Sequence, residues 1–311
     1  MRRNPEGRKI ILIKAINVKK QFDGFVALDG VNINVEKGSV YGLVGPNGAG
    51  KSTIIRHLVG VYSQDSGEIY IDGQPVYENN AIKSRIAYIP DDLYRFGSCN
   101  VNDMMKFYKG IYPNFDSVRY ERLKSVFEIV NTKKPIKKMS KGMQKQVAFW
   151  LAICCNPDVL ILDEPVDGLD PVMRRQVWSL LMQDVSERGT TVLVSSHNLR
   201  ELEDVCDTVG IMNKGKILLE RSLSSLQGNI TKLQVAFEDD FDVDSLNCFE
   251  IINKSKLGSV YTLVVRGTQE EVREKIAAYN PVLVDALPLT LEEIFIYEMG
   301  GEEYAVKDII L

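Results

Sequence analysis

Apolar residues along the chain recur at two spacings, one typical of strands and one typical of helices. The stretch from Lys9 to about Val35 predicts β structure, and within it Val31, Ile33 and Val35 alternate with polar residues. Val40–Val44 is almost entirely apolar, and so are the central residues of PDVLILDEP (VLIL) and TVLVSS (VLV), as expected of parallel strands covered on both faces. Shorter strands are predicted over SGEIYIDGQPV and RIAYIP.

Helical spacing fills most of the segments between these strands. It predicts helices between Asn100 and Cys155, over PVMRRQVWSLLMQDVSERG and over HNLRELEDVC. The second of these has Pro171 in its first turn and Gly189 beyond its end. A hairpin is predicted over TVGIMNKGKILLE, turning at Lys214 and Gly215. Strands that alternate with helices predict an α/β fold with a parallel core.

A second segment with its own pattern follows residue 228. It predicts strands near 231–238 and 258–266, a helix near 268–279, a strand near 282–287 and a short helix over TLEEIFIYEM. We therefore predict two domains, at residues 9–228 and 229–311, with a helical subdomain at about 92–156 inside the first.

The loop after Val40–Val44 carries the clearest chemistry of the chain. Gly45, four further residues and then Gly50-Lys51-Ser52 form the phosphate-loop pattern between a strand and a helix. Glycines let backbone N–H groups surround a phosphate at a helix N-terminus, while lysine supplies charge and the Ser52 hydroxyl can ligate Mg²⁺. A glycine-rich turn before an ordinary helix is the alternative, and the flanking elements favour phosphate binding. The predicted nucleotide-binding residues are Gly45, Pro46, Asn47, Gly48, Ala49, Gly50, Lys51, Ser52 and Thr53.

Two further strands end in polar residues at the sheet edge where the phosphate loop lies. Asp163 and Glu164 end the run VLILDEP, and His197 follows TVLVSS. Asp163 is predicted to hold Mg²⁺, directly or through water, and Glu164 to orient the water that attacks the γ-phosphate. His197 is predicted to hydrogen-bond the γ-phosphate or that water. Two acids that merely end a strand, and a solvated histidine, are the alternatives. His57 is expected to be structural.

A second candidate anion site lies at the start of another helix. Ser140 is a good N-cap for a helix from Lys141 to about Cys155, so Ser140, Lys141 and Gly142 surround a helix N-terminus. The surrounding lysine run, residues 133–145, could face nucleotide or anionic lipid, but a solvated face is the commoner outcome of such a run.

Composition narrows the class of protein. The net charge of −4 over 311 residues argues against nucleic acid as a constant partner. The five cysteines have no metal-ligand spacing and fit a reduced, cytosolic set. We identify neither a signal peptide nor a run of about 20 apolar residues that could cross a bilayer.

Together these motifs resemble the ATP-binding subunit of ABC transporters, over about Ile10 to Leu226. GPNGAGKST matches the Walker A motif, MSKGM at 139–143 the LSGGQ signature, VLILDEP Walker B, DGLD at 167–170 the D-loop and His197 the switch histidine. The resemblance implies a P-loop NTPase cassette with a mixed sheet core, an antiparallel β subdomain and a helical subdomain, followed by a small C-terminal α+β domain.

In this family two cassettes dimerise head to tail, and each ATP lies between Walker A of one subunit and the signature of the other. The resemblance therefore implies that Ser140, Lys141, Gly142 and Met143 face the partner's ATP, with Asp170 in the D-loop. Phe22 stands where the family has an aromatic residue that stacks on adenine. The aromatics of the helical region would form a groove for a helix of the membrane subunit, or its own core: Tyr94, Phe96, Phe107, Tyr108, Tyr112 and Phe115.

Three positions depart from the family pattern. The signature reads Ser-Lys-Gly-Met in place of Ser-Gly-Gly-Gln, and Phe22 replaces the commoner tyrosine. Asp91 stands where a glutamine usually contacts Mg²⁺ and senses the membrane partner, so Asp91 is predicted to be a third metal ligand after Ser52 and Asp163. The SKGM variant and the tail LPLTLEEIFIYEMGG look like the export-type (ABC-2) branch.

The resemblance implies an ATP-hydrolysing motor subunit of a bacterial ABC exporter, on the cytoplasmic face of the membrane. Its cofactors would be ATP and Mg²⁺. Its partners would be a separate integral membrane permease and a second cassette, identical or different, with no nucleic acid. One alternative is a soluble ABC-type ATPase, which usually has two cassettes in one chain or a coiled-coil insertion. The other is a nucleotide-binding regulator with little hydrolysis, which Glu164 and His197 disfavour.

Overall fold

The computed structural model describes residues 10–91, 99–128, 130–223, 230–238, 241, 246, 249–290, 293 and 297. Tyr94, Phe96 and most of the predicted helix TLEEIFIYEM lie outside these residues, as do the predicted domain limits. Within the described part, one compact unit extends to Asn198 and also includes Val205–Glu220. The other comprises Leu199–Asp204 and the described residues from Arg221 onward.

Among the described residues, ten strands form two sheets that belong to the first unit, apart from the last residues of the tenth strand. They are β1 (Ile11–Phe22), β2 (Phe25–Glu36), β3 (Val40–Val44), β4 (Ser66–Ile71), β5 (Gln74–Pro75), β6 (Ile86–Ile89), β7 (Val159–Asp163), β8 (Thr191–Ser196), β9 (Thr208–Asn213) and β10 (Lys216–Ser222). The first sheet is antiparallel with the order β2-β1-β4-β5. The second has the order β10-β9-β3-β8-β7-β6.

The second sheet is mixed. β9, β3, β8, β7 and β6 are parallel, and every residue of β3, β7 and β8 is buried. β9 and β10 are joined by only two residues, Lys214 and Gly215, which requires an antiparallel hairpin. Both turn residues have positive φ (45° and 76°), as a type I′ turn demands. The predicted α/β fold with a mixed sheet and an antiparallel β subdomain is confirmed.

Six α-helices complete the described part of the first unit. They are α1 (Lys51–Leu58), α2 (Asn80–Lys83), α3 (Val101–Ile111), α4 (Ser117–Leu123), α5 (Lys141–Cys154) and α6 (Pro171–Gln183). α6 continues as a π-helical turn, Asp184–Arg188, and ends at Gly189 with φ 71°, where the sequence predicts the stop. The four-residue helix α2 is not predicted from the sequence.

The prediction of an α-helix over HNLRELEDVC is wrong. Only Leu199–Glu201 is helical there, as a single 3₁₀ turn. The buried side chains of the segment are Leu199, Leu202, Val205 and Cys206. Apolar residues at i, i+3 and i+7 suit an α-helix as well as a 3₁₀ turn, so this pattern does not distinguish the two.

Side-chain contacts join α4 and α5 of the helical region to the end of α6. Trp150 stacks on Tyr120 with ring centroids 4.6 Å apart. The Arg119 guanidinium donates two hydrogen bonds to the Asp184 carboxylate, at 2.9 and 2.6 Å, and a third to the carbonyl oxygen of Ile153. Both charged side chains are buried, so this bidentate pair fixes α4 to the end of α6.

The second unit is a four-stranded antiparallel sheet with one described α-helix. Its elements are β11 (Ile230–Ala236), β12 (Ile251–Leu257), β13 (Val260–Arg266), α7 (Gln269–Ala277) and β14 (Leu283–Leu287). The strand order is β12-β13-β11-β14, and Leu233, Leu263 and Val265 lie at the centre of a separate core. β12 is missed by the sequence prediction because it is an edge strand whose last five residues are exposed and mostly polar.

Candidate functional site

The carboxyl ends of three parallel strands meet at one edge of the mixed sheet. Val44 of β3 pairs with Ser196 of β8, and Asp163 of β7 pairs with Ser195 of β8. The loops that follow these strands are therefore neighbours, as ligand-binding loops of open α/β sheets are. They carry the phosphate loop, Glu164 and His197.

The phosphate loop requires glycine at positions where other backbone lies very close. A Cβ at Gly45 would approach the carbonyl oxygen of Met212 to 2.1 Å. Gly50 has φ 110°, and a Cβ there would lie 2.9 Å from the carbonyl oxygen of Ala27. Both residues must therefore be glycine for the loop to keep this path.

The N-terminus of α1 lacks a side-chain cap. Its N-cap residue, Gly50, has no side chain to accept a hydrogen bond, and its first turn holds no acidic residue. Each other described α-helix is capped by a side chain: Asn79, Asn100, Asp116, Ser140, Asp170 and Thr268. The backbone N–H groups of the first turn of α1 therefore have no partner within their own helix, and the helix dipole favours an anion there.

The turn of the β9–β10 hairpin is hydrogen-bonded to this loop. The backbone N–H of Gly215 donates to the carbonyl oxygen of Ala49 at 2.8 Å, and its carbonyl oxygen accepts from Asp29 N at 2.8 Å. A Cβ at Gly215 would lie 2.8 Å from the carbonyl oxygen of Ala27. The turn of the hairpin thus forms part of the phosphate-loop structure.

Lys51, Glu164 and His197 form a connected group. Lys51 Nζ donates to the carbonyl oxygens of Gly45 and Pro46, at 2.6 and 3.3 Å, and lies 3.4 Å from Glu164 Oε1. Glu164 Oε2 lies 2.8 Å from His197 Nδ1 and accepts from the His197 backbone N–H at 3.3 Å. Since a carboxylate only accepts, Nδ1 carries the hydrogen.

Glu164 has one oxygen available for a ligand. Oε1 is buried and has no hydrogen-bond partner among the described residues, although the Lys51 ammonium lies nearby. The residue itself has φ 49°, a left-handed conformation that is costly for glutamate. An available carboxylate oxygen beside a phosphate-binding lysine can accept a proton from a water molecule.

Asp163 lies in the protein interior beside two serines. Its Oδ1 accepts from Ser195 Oγ at 2.6 Å, and Ser52 donates a second hydrogen bond to the carboxylate. The pKa of Asp163 is raised above its usual value, mainly because the carboxyl group is buried. The hydrogen bonds from Ser195 and Ser52 lower this pKa, and the nearby charges of Glu164 and Asp91 raise it. A carboxylate and a hydroxyl in contact at a phosphate loop are the ligand types that Mg²⁺ takes in phosphoryl-transfer sites, so these residues fit that ion.

Asp91 pairs with a lysine. Its Oδ1 lies 3.3 Å from Lys145 Nζ, and the Asp91 side chain is 52% exposed. The same ammonium donates to the carbonyl oxygen of Glu164 at 2.6 Å and lies 3.9 Å from Asp167 Oδ2. The other lysines of the run are exposed, but Lys145 is buried. The prediction of a solvated face therefore fails at this one position.

The signature and the D-loop begin two different helices. Ser140 caps α5 and accepts from Met143 N at 3.2 Å, while Asp170 caps α6. A Cβ at Gly142 would lie 3.1 Å from the carbonyl oxygen of Gly168, so the two segments lie side by side. No hydrogen bond or ion pair in the described part of the chain joins Ser140 or Lys141 to the phosphate loop.

The predicted aromatic positions differ in exposure. Phe22 ends β1, is 38% exposed and meets Tyr62 edge to face at 5.6 Å, and the Lys20 ammonium lies 5.4 Å from the centroid of its ring. Phe107 is exposed, whereas Tyr112 is half-buried and donates its hydroxyl to the carbonyl oxygen of Ile86 at 3.0 Å. Tyr108 stacks on Tyr112, and its burial raises its pKa to about 12.

Sequence reasoning misses two residues of the site, Ser195 and Lys145. Ser195 is fully buried and contacts both Asp163 and the Glu164 backbone N–H. Its signal is a hydroxyl at the end of the otherwise apolar run TVLVSS. The sequence feature that could have revealed Lys145 is its helical spacing. It precedes Phe149 by four residues and Ala152 by seven, so all three lie on one buried face of α5.

The fold and the site define a nucleotide-binding cassette of the phosphate-loop class. The family model described as "ABC transporter" matches residues 28–167. The ABC transporter ATP-binding protein YtrB of Bacillus subtilis is 31% identical over 291 residues, covering 94% of this chain and 99% of YtrB. The lantibiotic transport ATP-binding protein SrtF of Streptococcus pyogenes is 34% identical, covering 73% of this chain and 99% of SrtF.

A solved structure titled as the ATP-binding subunit of an ABC transporter superposes with a TM-score of 0.62 at 27% identity, over 70% of this chain and 92% of that one. The chain belongs to the ATP-binding proteins of ABC transporters, a family of ATPases that bind ATP. No helix in the described residues is both long and apolar enough to cross a membrane.

Proposed function

We propose that this chain is the ATP-hydrolysing motor subunit of a bacterial ABC exporter and drives a separate membrane permease. The contact of Lys51, Glu164 and His197 at one sheet edge is the observation that carries this proposal. It supplies in one chain a phosphate-binding cation, a carboxylate for the attacking water and an imidazole beside it.

Each residue of the group has a separate task in this proposal. Lys51 leaves the Gly45 and Pro46 carbonyl oxygens and moves to the β- and γ-phosphates of ATP. Glu164 then loses its cation, and its unpartnered Oε1 orients the attacking water. His197 holds the other carboxylate oxygen, which fixes the direction in which Oε1 faces.

The metal and the nucleotide are assigned to neighbouring residues. Ser52 and Asp163 would hold Mg²⁺, which neutralises charge on the β- and γ-phosphates when bound. The role of Asp91 as a third metal ligand stays a prediction. Phe22, which is 38% exposed, would stack on adenine.

The two protein partners would bind at surfaces that are separate from the phosphate loop. The helix end at Ser140, with Lys141, Gly142 and Met143, would bind the ATP of a second cassette in a head-to-tail dimer, with Asp170 at the same interface. The exposed Phe107 and Ile111 on α3 would contact the permease at the cytoplasmic face of the membrane.

Export is supported by the SKGM signature and by the likeness to SrtF, named for lantibiotic transport. We assign the cassette to residues 9–228 and an accessory domain to 229–311.

Two measurements test the proposal. Phosphate release by the purified chain should be abolished in Lys51→Ala, together with ATP binding. In Glu164→Gln, ATP binding should persist while turnover falls about 100-fold or more, since an amide cannot accept the proton. Undiminished turnover in Glu164→Gln would contradict the assignment of that residue. ATP binding without turnover in the unmodified chain, alone and with its partner, would favour a nucleotide-binding regulator.

The partner is identified by mild-detergent isolation from native membranes, followed by mass spectrometry. A multi-span integral protein in stoichiometric amount supports the transporter assignment. A soluble partner, with none of the chain in the membrane fraction, would favour the soluble ABC-type ATPase.

A further inference from the structure

Lys145 is a buried cation on α5, one turn before the buried Phe149. Its side chain is 7% exposed, and its ammonium contacts Asp91, Asp167 and the carbonyl oxygen of Glu164. An ammonium loses much of its hydration when it is buried, so a lysine at such a position needs polar partners. All three of these partners lie in loops at or beside the nucleotide site.

The shortest of the three contacts is to the Glu164 backbone. Nζ lies 2.6 Å from the Glu164 carbonyl oxygen, compared with 3.3 Å from Asp91 and 3.9 Å from Asp167. Both aspartates are more than half exposed, so solvent screens their attraction to the lysine. The contact to Glu164 is therefore the specific one.

Glu164 is held by side chains on both sides of its left-handed backbone. Its N–H donates to Ser195 Oγ at 3.1 Å, and its carbonyl oxygen accepts from Lys145. A left-handed glutamate is strained and persists only where its surroundings fix it. These two hydrogen bonds determine the direction in which the Glu164 carboxylate leaves the chain.

We propose that Lys145 is a positioning residue for ATP hydrolysis. It fixes the Glu164 carbonyl oxygen, and Asp91 acts as the counter-charge of Lys145. This inference rests on the proposed function, because it concerns the residue assigned there to the attacking water. It gives Asp91 a task in place of metal binding, since its carboxylate neutralises the buried ammonium.

Lys145 is not expected to stabilise the fold. Replacing a buried charged residue with an apolar side chain of similar length is often neutral or stabilising, provided that no charge is left buried and unpaired. Asp91 and Asp167 are solvated when the lysine is removed, because both are exposed. Lys145→Met should therefore fold with an unchanged melting temperature and differ only at Glu164.

The first experiment compares Lys145→Met with the unmodified full chain and with Lys124→Met. The control removes the same ammonium from an exposed pair with Glu121 in the same helical region. We expect kcat to fall about 10- to 100-fold in Lys145→Met with ATP affinity unchanged, since small misplacement of a catalytic group has effects of that size. Lys124→Met should keep the unmodified kcat, and Lys145→Arg, which keeps the donor, should recover part of it. A loss of folding or an unchanged kcat in Lys145→Met would overturn the proposal.

The second experiment separates the two roles of Asp91. If Asp91 acts through Lys145, Asp91→Asn lowers kcat in the unmodified chain but has no further effect in Lys145→Met. The Mg²⁺ concentration for half-maximal turnover should stay the same in Asp91→Asn. A separate additional loss, or a raised Mg²⁺ requirement, would show Asp91 to be a metal ligand and overturn this part.

Glu164→Gln, measured in parallel, distinguishes the failure of this inference from that of the proposed function. Turnover that depends on Glu164 but not on Lys145 would overturn only the role of Lys145. A lack of phosphate release by the unmodified chain would overturn both.

Discussion

The two histidines of the chain show how position decides the chemistry of one residue type. The His197 side chain is 48% exposed and contacts the Glu164 carboxylate. His57 is buried on α1, and its Nδ1 lies 2.7 Å from the carbonyl oxygen of Thr53. Since a carbonyl oxygen only accepts, Nδ1 carries the hydrogen, and the buried Nε2 has no partner among the described residues. His57 is thus built to remain neutral.

The stability of the protein should therefore depend on His57 in mild acid. Burial lowers the pKa of His57 below its usual 6.5. Below about pH 6.5 the unfolded chain takes up a proton at this residue that the folded chain still excludes. The unfolding free energy should then fall as pH decreases from 6.5, by at most about 1.4 kcal/mol per pH unit for one proton. Chemical denaturation between pH 7.5 and 5 measures this slope.

The matched variant for that measurement is His57→Gln, which cannot take up the proton. It should show a shallower slope between pH 6.5 and 5 than the unmodified protein. Equal slopes in the two proteins would contradict a role for His57.

At the scale of elements, the bidentate pair between Arg119 and Asp184 connects the helical region to the end of α6. Arg119→Met should lower the unfolding free energy by about 3 kcal/mol, because it leaves Asp184 buried with only Arg188, at 3.6 Å, as a described ion-pair partner. Asp184→Leu in addition should recover most of this loss. Urea unfolding of the single and double variants gives both values.

Arg85 provides the control for an exposed pair. It bonds Asp158 at 2.5 Å, but both side chains are a third or more exposed. Arg85→Met should therefore cost less than about 1 kcal/mol. An equal loss in Arg85→Met and Arg119→Met would show that burial of the pair has no special effect.

At the scale of the whole molecule, the two units have separate hydrophobic cores. Leu193 lies in the first and Leu263 in the second, and both side chains are fully buried. Leu263→Ala should destabilise the second unit by about 2–5 kcal/mol through lost burial and a cavity. Because Lys51 and Glu164 belong to the first unit, ATP affinity should not change.

Amide hydrogen exchange locates the effect of each core change. In Leu263→Ala, protection should fall in β11 and β13 and persist in β3 and β8. Leu193→Ala should give the opposite result and weaken ATP binding. A uniform loss of protection across both units in either variant would contradict separate cores.

Much of the molecule is predictable from sequence because the signals are local. Ser140 caps the helix that it is predicted to cap, and Gly189 ends α6. Lys145 and Ser195 are missed because their role comes from contacts across 19 and 31 residues of sequence, which no local pattern records. The 3₁₀ turn at Leu199–Glu201 is missed because its polar composition also suits an α-helix.

The turn between β9 and β10 has a consequence for protein engineering. Two-residue hairpin tips are common places to add an affinity tag or a fluorescent label, because they usually tolerate extra residues. Here Gly215 hydrogen-bonds to Ala49 and to Asp29, so extra residues at this tip would displace the phosphate loop while both strands still pair. A protein labelled at this tip would still fold but would no longer bind nucleotide.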